Sequence, residues 1–425
     1  MSRVQRAAAV VGDRVCQAHT RLLGAERAAA RRLQVRNLSL AGAALLAVSC
    51  LTLLAAAVLY LTGRPWERGW GWTWQADVMS WKERLTYAGA VVTATGAVVA
   101  LVVNYRKQRD AEEGRFAAQF AAAAAQLGDS APAVRIAGVY ALVALADRYP
   151  KQRQQVIDAL CGYLRLPYDP DAGRGHLRER SVNRPQGSVE LTDVHAYRPA
   201  DREVRLTIIR VIRDHLRSPD SSTSWRGSDF DFTGAVFDGG NFSGAVFSGG
   251  QVLFEGAVFS GGTVFFEAAT FSGGTVSFSD AVFSGGTVSF EDAVFSGATV
   301  ILGGTPFSSG TVSFGGAVFS GGLVAFGDAV FSGGLVAFDR ATFSGALVVF
   351  IRGTFSGALV VFNDATFSGG TVFFNAATFS GGHMTFDRAT FSGGAAVLFG
   401  EAVFSGGAVT RDGEPFRGWP SPPAQ

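Results

Sequence analysis

Phenylalanine recurs at fixed intervals through the last two fifths of the chain, and no other feature limits the fold as strongly. Phe232, Phe237, Phe242 and Phe247 stand five residues apart. From Phe254 the spacing alternates between five and seven, through Phe259, Phe266, Phe271, Phe278, Phe283, Phe290 and Phe295, giving a 12-residue unit such as TVSFEDAVFSGG. The period persists to Phe391 and slips by one residue only before Phe404. A fixed short period means one structural unit stacked on copies of itself, each unable to bury its apolar face alone.

The residue two before each Phe points to the same side of an extended strand. It alternates in size. Before the five-step Phe it is usually Ala (Ala257, Ala269, Ala281, Ala293), and before the seven-step Phe it is usually Val (Val252, Val264, Val276, Val288). The exceptions, Leu302 in a Phe position and Met384 in a Val position, are also apolar. Selection for volume at these positions predicts an inward-facing core.

On these residues the segment resembles the pentapeptide-repeat family, whose five-residue unit centres on Leu or Phe with a small residue two before it. The resemblance covers residues 229 to about 408 and is tightest in the first four units. It implies a right-handed quadrilateral β-helix with four Phe-centred faces per coil. The two extra residues in alternate units depart from the family pattern and predict a widened coil of 24 residues, with a flatter solenoid of fewer sides as the other reading. About seven coils at ~4.8 Å per ladder step give a rod on the order of 35 Å long. The FSGG corners supply positive φ. The tail after Thr410 either caps the last coil or stays disordered.

The formal net charge of +2 conceals a division. Residues 228–410 carry 13 acidic residues against 3 Arg, whereas residues 1–227 carry 32 basic and 20 acidic ones. Basic excess on one side suggests an anionic surface near it. Two uncharged runs, residues 37–63 and 85–105, reach the roughly 20 residues that a spanning helix needs. They are expected to be transmembrane helices. Eight Arg from Arg3 to Arg36 precede the first, and Arg106, Lys107 and Arg109 follow the second, which puts both termini in the cytoplasm of a bacterial cell with the bilayer as a partner. Residues 64–84, with Trp66, Trp70, Trp72, Trp74 and Trp81, then form an extracytoplasmic interfacial loop. The basic tail, residues 1–36, is either an amphipathic helix on anionic lipid or a solvated arm.

Residues 106–220 are expected to be a cytoplasmic helical domain, with an exposed Pro- and Gly-rich loop at 166–200. Gly128 suits a helix end and Ser130 a helix start. Val134-Arg135 and Val204-Arg205 open similar patterns seventy residues apart, as in HEAT-like helices, although a plain bundle fits as well. The fold class is thus multi-domain α + β: two transmembrane helices, a small helical domain and the solenoid at 229–410, followed by a tail at 411–425.

No catalytic, cofactor-binding or metal-ligating set emerges. Cys16, Cys50 and Cys161 lie far apart, and His19, His176, His195, His215 and His383 lack partners at metal or triad spacing. SGGTV lacks the Gly-Lys-Ser/Thr ending of a phosphate loop. What repeats is acid after the seven-step Phe: Glu255, Glu267, Asp280, Glu291, Asp292, Asp328, Asp339, Asp364 and Asp387. In register these form acidic ladders on one or two faces, either keeping the rod soluble or docking a basic partner. The expected function is a non-enzymatic, membrane-tethered scaffold that presents the solenoid to a cytoplasmic protein, without direct nucleic-acid binding and with the solenoid end open to homo-oligomers. The alternative, implied by the resemblance, is a DNA-mimicking rod that modulates a type II topoisomerase. Net −10 over 183 residues is sparse beside a duplex carrying one charge per ~1.7 Å.

Overall fold

The computed structural model describes residues 80–170, 179–186, 189–196, 200–219 and 222–418. The chain divides into two compact units, Met1–Gly114 and Arg115–Gln425, taken separately below.

In the first unit the described residues belong to helix α1 (Trp81–Leu127), whose last two turns and more lie in the second unit. The expectation of two transmembrane helices is corrected here. Residues 37–63, and with them the first run, lie outside the described residues. The second run, residues 85–105, is one stretch of α1, and among the described residues no helix is long and apolar enough to cross a membrane. Small and polar residues such as Thr86, Gly89, Thr93, Gly96 and Asn104 dilute the run. The helix continues without a break into Arg106, Lys107, Arg109 and Asp110. Thr86 and Thr93 return their hydroxyls to the carbonyls of Lys82 and Gly89.

The second unit opens with a helical cap: the end of α1, α2 (Pro132–Arg148), α3 (Arg153–Leu164) and α4 (Asp201–Arg217). Ser130 does not cap α2. Ala131 precedes its first turn and Asp129 accepts the Ala131 N–H at 2.7 Å. Gly138 lets α2 press on the end of α1, since a Cβ there would fall 2.5 Å from the Leu127 nitrogen. Within the stretch expected to be loop, β1 (Glu179–Gln186) and β2 (Val189–Ala196) pair antiparallel.

Beyond the cap stands a β-solenoid of about 8 turns, repeating about every 24 residues, one turn more than the sequence count. Four parallel ladders run its length. Gln251–Leu253 pairs with Thr275–Ser277, Val258–Phe259 and Thr263–Phe265 with the two ends of the longer strand Val282–Ser289, and Thr270–Ser272 with Val294–Ser296. The first step is shorter, Phe230 pairing with Val252, and the late slip is absorbed where Val372 pairs with Val397. The coil therefore has four sides rather than fewer.

The core is as the size pattern predicts. Phe, Val and Ala at the repeat positions are almost completely buried up to Ala389; Phe391, Phe399, Ala402 and Phe404 of the last coil are partly buried, and Leu302 and Met384 are 1% exposed. Phe rings stack on those one coil away at centroid distances from 4.6 to 5.3 Å, within the range that offset rings favour. Each ring meets its neighbours above and below, so burial energy grows only when coils stack.

An array of this kind must protect its ends. At the first coil α4 supplies the protection: Val204, Ile208, Ile209, Ile212 and Leu216 are buried, and Ile209 packs on Gly240. At the other end the tail up to residue 418 is ordered against the last coil. Ala408–Arg411 pairs antiparallel with Glu414–Pro415, and Phe416 covers Phe386, Phe391 and Phe399.

Candidate docking surface

Two kinds of corner join the four sides. In the first kind the chain turns tightly after a core Phe. Ala257 donates to the Phe254 carbonyl at 3.1 Å, and Ala269 to that of Phe266 at 3.1 Å. The third residue of each turn has positive φ. Asp280, Asp292, Asp328 and Asp364 fill that position, as do Arg340, Arg352 and Arg388. Asp tolerates the left-handed region because its short side chain bonds locally. The second kind of corner is Ser-Gly-Gly or Ser-Gly-Ala, with Ser308-Ser309-Gly310 as the exception, and neither it nor the sides carry charge between the first coil and Arg411.

The nine acidic residues singled out in the sequence therefore lie at corners rather than on faces, and they are shared between two corner columns that alternate with the uncharged corners. Glu255, Asp280 and Asp328 follow one column, and Glu267, Glu291, Asp292, Asp339, Asp364 and Asp387 the other. Neither column is an unbroken acidic ladder. Arg352 grips Asp328 with two bonds of 2.5 and 2.6 Å, and Arg388 grips Asp364 at 2.6 and 2.7 Å. Those hydrogen bonds hold the Asp328 and Asp364 carboxyls below the ordinary range, while burial pushes Asp339 up.

Nearer the cap the acids face a different partner, a serine hydroxyl one coil on. Glu255 accepts from Ser277 at 3.0 Å, Glu267 from Ser289 at 3.4 Å and Glu291 from Ser313 at 3.2 Å. Asn363 takes the same role with Thr385 at 2.6 Å. These carboxylates stitch neighbouring coils.

Sequence reasoning missed the polar junction between cap and solenoid. The two Val-Arg pairs seventy residues apart converge there. Buried Arg135 bonds Asp201 at 2.5 Å and Tyr163 at 3.0 Å, and Arg205 lies 3.9 Å from the other Asp201 oxygen. Arg205 also donates to the carbonyls of Leu164 and Val236, and its guanidinium lies 4.3 Å over the Tyr168 ring. Tyr168 in turn reaches Asp238, which Arg202 holds at 3.0 Å. Burial, with Asp201 adding to it, raises the Tyr163 pKa, and burial with Asp238 beside it raises that of Tyr168. The repeated Val-Arg was the available signal, but one sequence does not show that both guanidinium groups share one carboxylate.

Among the described residues no group of three or more His, Cys, Asp or Glu is placed to hold a metal ion. Cys161 is buried, and desolvation pushes its thiol up to about 12, which keeps it protonated. His383 stands exposed on the solenoid. His215 stacks on Trp225 at 4.4 Å and reaches Asp147, inside the cap. No protein-family profile, curated protein or solved structure matches the chain.

Proposed function

We propose that the chain is a non-catalytic interaction scaffold, and that its solenoid is of the right-handed pentapeptide-repeat type, presented to a protein partner. The observation that carries this reading is a solenoid capped at both ends whose charges, from the second coil to Ala408, lie in two corner columns between uncharged sides. Such a surface offers fixed spacing in one dimension and nothing that moves or reacts, which suits recognition. The five-residue rhythm of the first coil, the four ladders and the Phe at each centre support the family assignment. The glycine-bearing corners accommodate the two added residues of every second unit.

The topoisomerase alternative is less well supported. A duplex mimic needs a continuous anionic surface, yet Arg340, Arg352 and Arg388 interrupt the columns, and two of them neutralise the acids beside them. A supercoiling assay with the capped solenoid tests it directly, and inhibition of gyrase at micromolar concentration would reinstate it. The scaffold reading is tested by crosslinking pull-down with the whole chain and with residues 229–418 deleted. Partners recovered reproducibly by the first and lost with the second support it. An identical set from both removes the solenoid from the function.

A further inference from the structure

The lower edge of the solenoid and the outer face of α4 meet in an open groove of about 440 Å³. Arg202, Arg210 and Arg213 line its floor, one helical face at steps of eight and three residues. Asn241, Thr263 and Phe265 form its wall, facing outward from the first two coils. We infer that this groove binds an acidic peptide segment of a partner protein, with Arg210 as the anchor. The inference rests on the scaffold reading and names the chemistry of what docks.

The donor inventory supports this choice. Arg202 spends its Nε on Asp238, and Arg213 is turned onto its neighbour Asp214 at 2.8 Å. Arg210 is exposed and has no ion-pair partner among the described residues, so its planar fork is free for a carboxylate. Asn241 has committed only its oxygen, which accepts the Ser243 N–H at 2.8 Å, and its amide protons remain available. Thr263 adds a hydroxyl, and half-buried Phe265 an apolar step. Donors without an acceptor beside an apolar patch match a peptide that alternates carboxylates with apolar residues. The wall belongs to the parallel pair Gly240–Asn241 and Thr263–Phe265, so it offers a short extended surface beside the arginines.

Two features oppose a nucleic acid. The groove exposes one free cation rather than a track, and its single partly exposed ring provides no stacking platform. Arg202 and Arg213 are already paired with the Asp238 and Asp214 carboxylates, which leaves no continuous cationic track for a phosphate chain.

The test uses the whole chain and a fluorescein-labelled 12-residue peptide with Asp or Glu at alternate positions and Leu or Ser between. Its Asn/Gln counterpart and a dT 12-mer are run in parallel by fluorescence polarisation. Wild type is expected to bind the acidic peptide over its amide counterpart. Arg210→Glu is expected to weaken that binding about tenfold or more, the scale of one charge-assisted bond lost. Thr263→Glu, which brings a carboxylate in from the wall, should act in the same direction. Reversal of Arg31 and Arg32 in the basic N-terminal segment is the control and should leave the Arg210-dependent part unchanged. Arg210 is exposed, so its variant should keep the wild-type melting temperature. Equal affinity of wild type and Arg210→Glu for the acidic peptide overturns the inference. So does dT binding that is tighter and shows the same Arg210 dependence. If the pull-down recovers the same partner set with wild type and Arg210→Glu, and loses it when residues 229–418 are deleted, this inference fails while the scaffold reading stands. If it recovers none with either, the scaffold reading itself fails.

Discussion

Truncating one Phe in the middle of the solenoid and another at its end should cost very different amounts, because ring stacking makes each coil depend on two neighbours. Phe338 is completely buried and lies between Phe314 at 4.9 Å and Phe362 at 4.8 Å, with tilted rings of Phe319 and Phe343 beside it. Phe404 is only partly buried and stacks on one ring, Phe379 at 4.8 Å, with the Arg417 guanidinium 5.1 Å over it. Phe338→Ala removes a fully buried ring from a site that cannot collapse, about 3–5 kcal/mol, and it breaks contacts to both adjacent coils. Phe404→Ala leaves one stack lost and a side already wet, about 1–2 kcal/mol. Urea unfolding followed by far-ultraviolet dichroism gives the two values. Hydrogen exchange shows where protection is lost. In Phe338→Ala the coils on the tail side should exchange at lower urea than those on the cap side, because a broken interface divides the array. Equal costs for the two variants, with one undivided transition in both, would refute the reasoning that the rings act as coupled columns.

Other consequences follow from the corners and the cap. Arg340 holds positive φ (58°) without a side-chain bond, so Arg340→Gly should raise the melting temperature by the equivalent of roughly 0.5–1 kcal/mol. Arg352→Gly forfeits its grip on Asp328 and should change stability little, a contrast that calorimetry can resolve. Asp328 and Asp364 have depressed folded pKa values, so their contribution is present above the ordinary carboxylate value of about 3.9 and is lost as pH falls through the folded ones. The urea midpoint should therefore drop on that acid limb, and less so in the Arg352→Gln, Arg388→Gln double variant or in high salt. Arg135→Met leaves the Asp201 carboxylate in the cap core with the Tyr163 hydroxyl and the more distant Arg205, and should cost about 1.5–3 kcal/mol, with exchange rising first at the amide of Phe232, which bonds the Leu253 carbonyl.

Much of the solenoid was legible because its period is imposed by stacking: every Phe, Val and Ala repeats its environment 24 residues on. The sequence also exposed the cap helices through their apolar spacing, since α4 buries the stripe that its Val and Ile residues describe. Other features depend on relations between distant residues. The acids of the repeat looked alike in the sequence, but the coil sends Glu255 to a serine and Asp328 to an arginine, 22 and 24 residues on. The left-handed corner position held Asp and Arg as well as Gly, so glycine alone did not mark it. The pairing of β1 with β2 crosses a segment whose Pro and charge content reads as loop. The apolar run at 85–105 met a length criterion, yet it belongs to a helix that continues into charged residues.

A protein partner docked on the solenoid and its cap groove would lie within reach of a crosslinker placed there. Residues 229–418 contain no lysine, so amine-reactive reagents do not report on them, and a photo-crosslinking residue placed singly at Asn241, Asp292, Thr342 and Asp364 is the direct measurement. Partner adducts are expected from Asn241 and from at least one corner position, and Arg210→Glu is expected to abolish those from Asn241. Adducts absent from all four sites, while the same residue at positions 1–114 captures the partner, would contradict docking there.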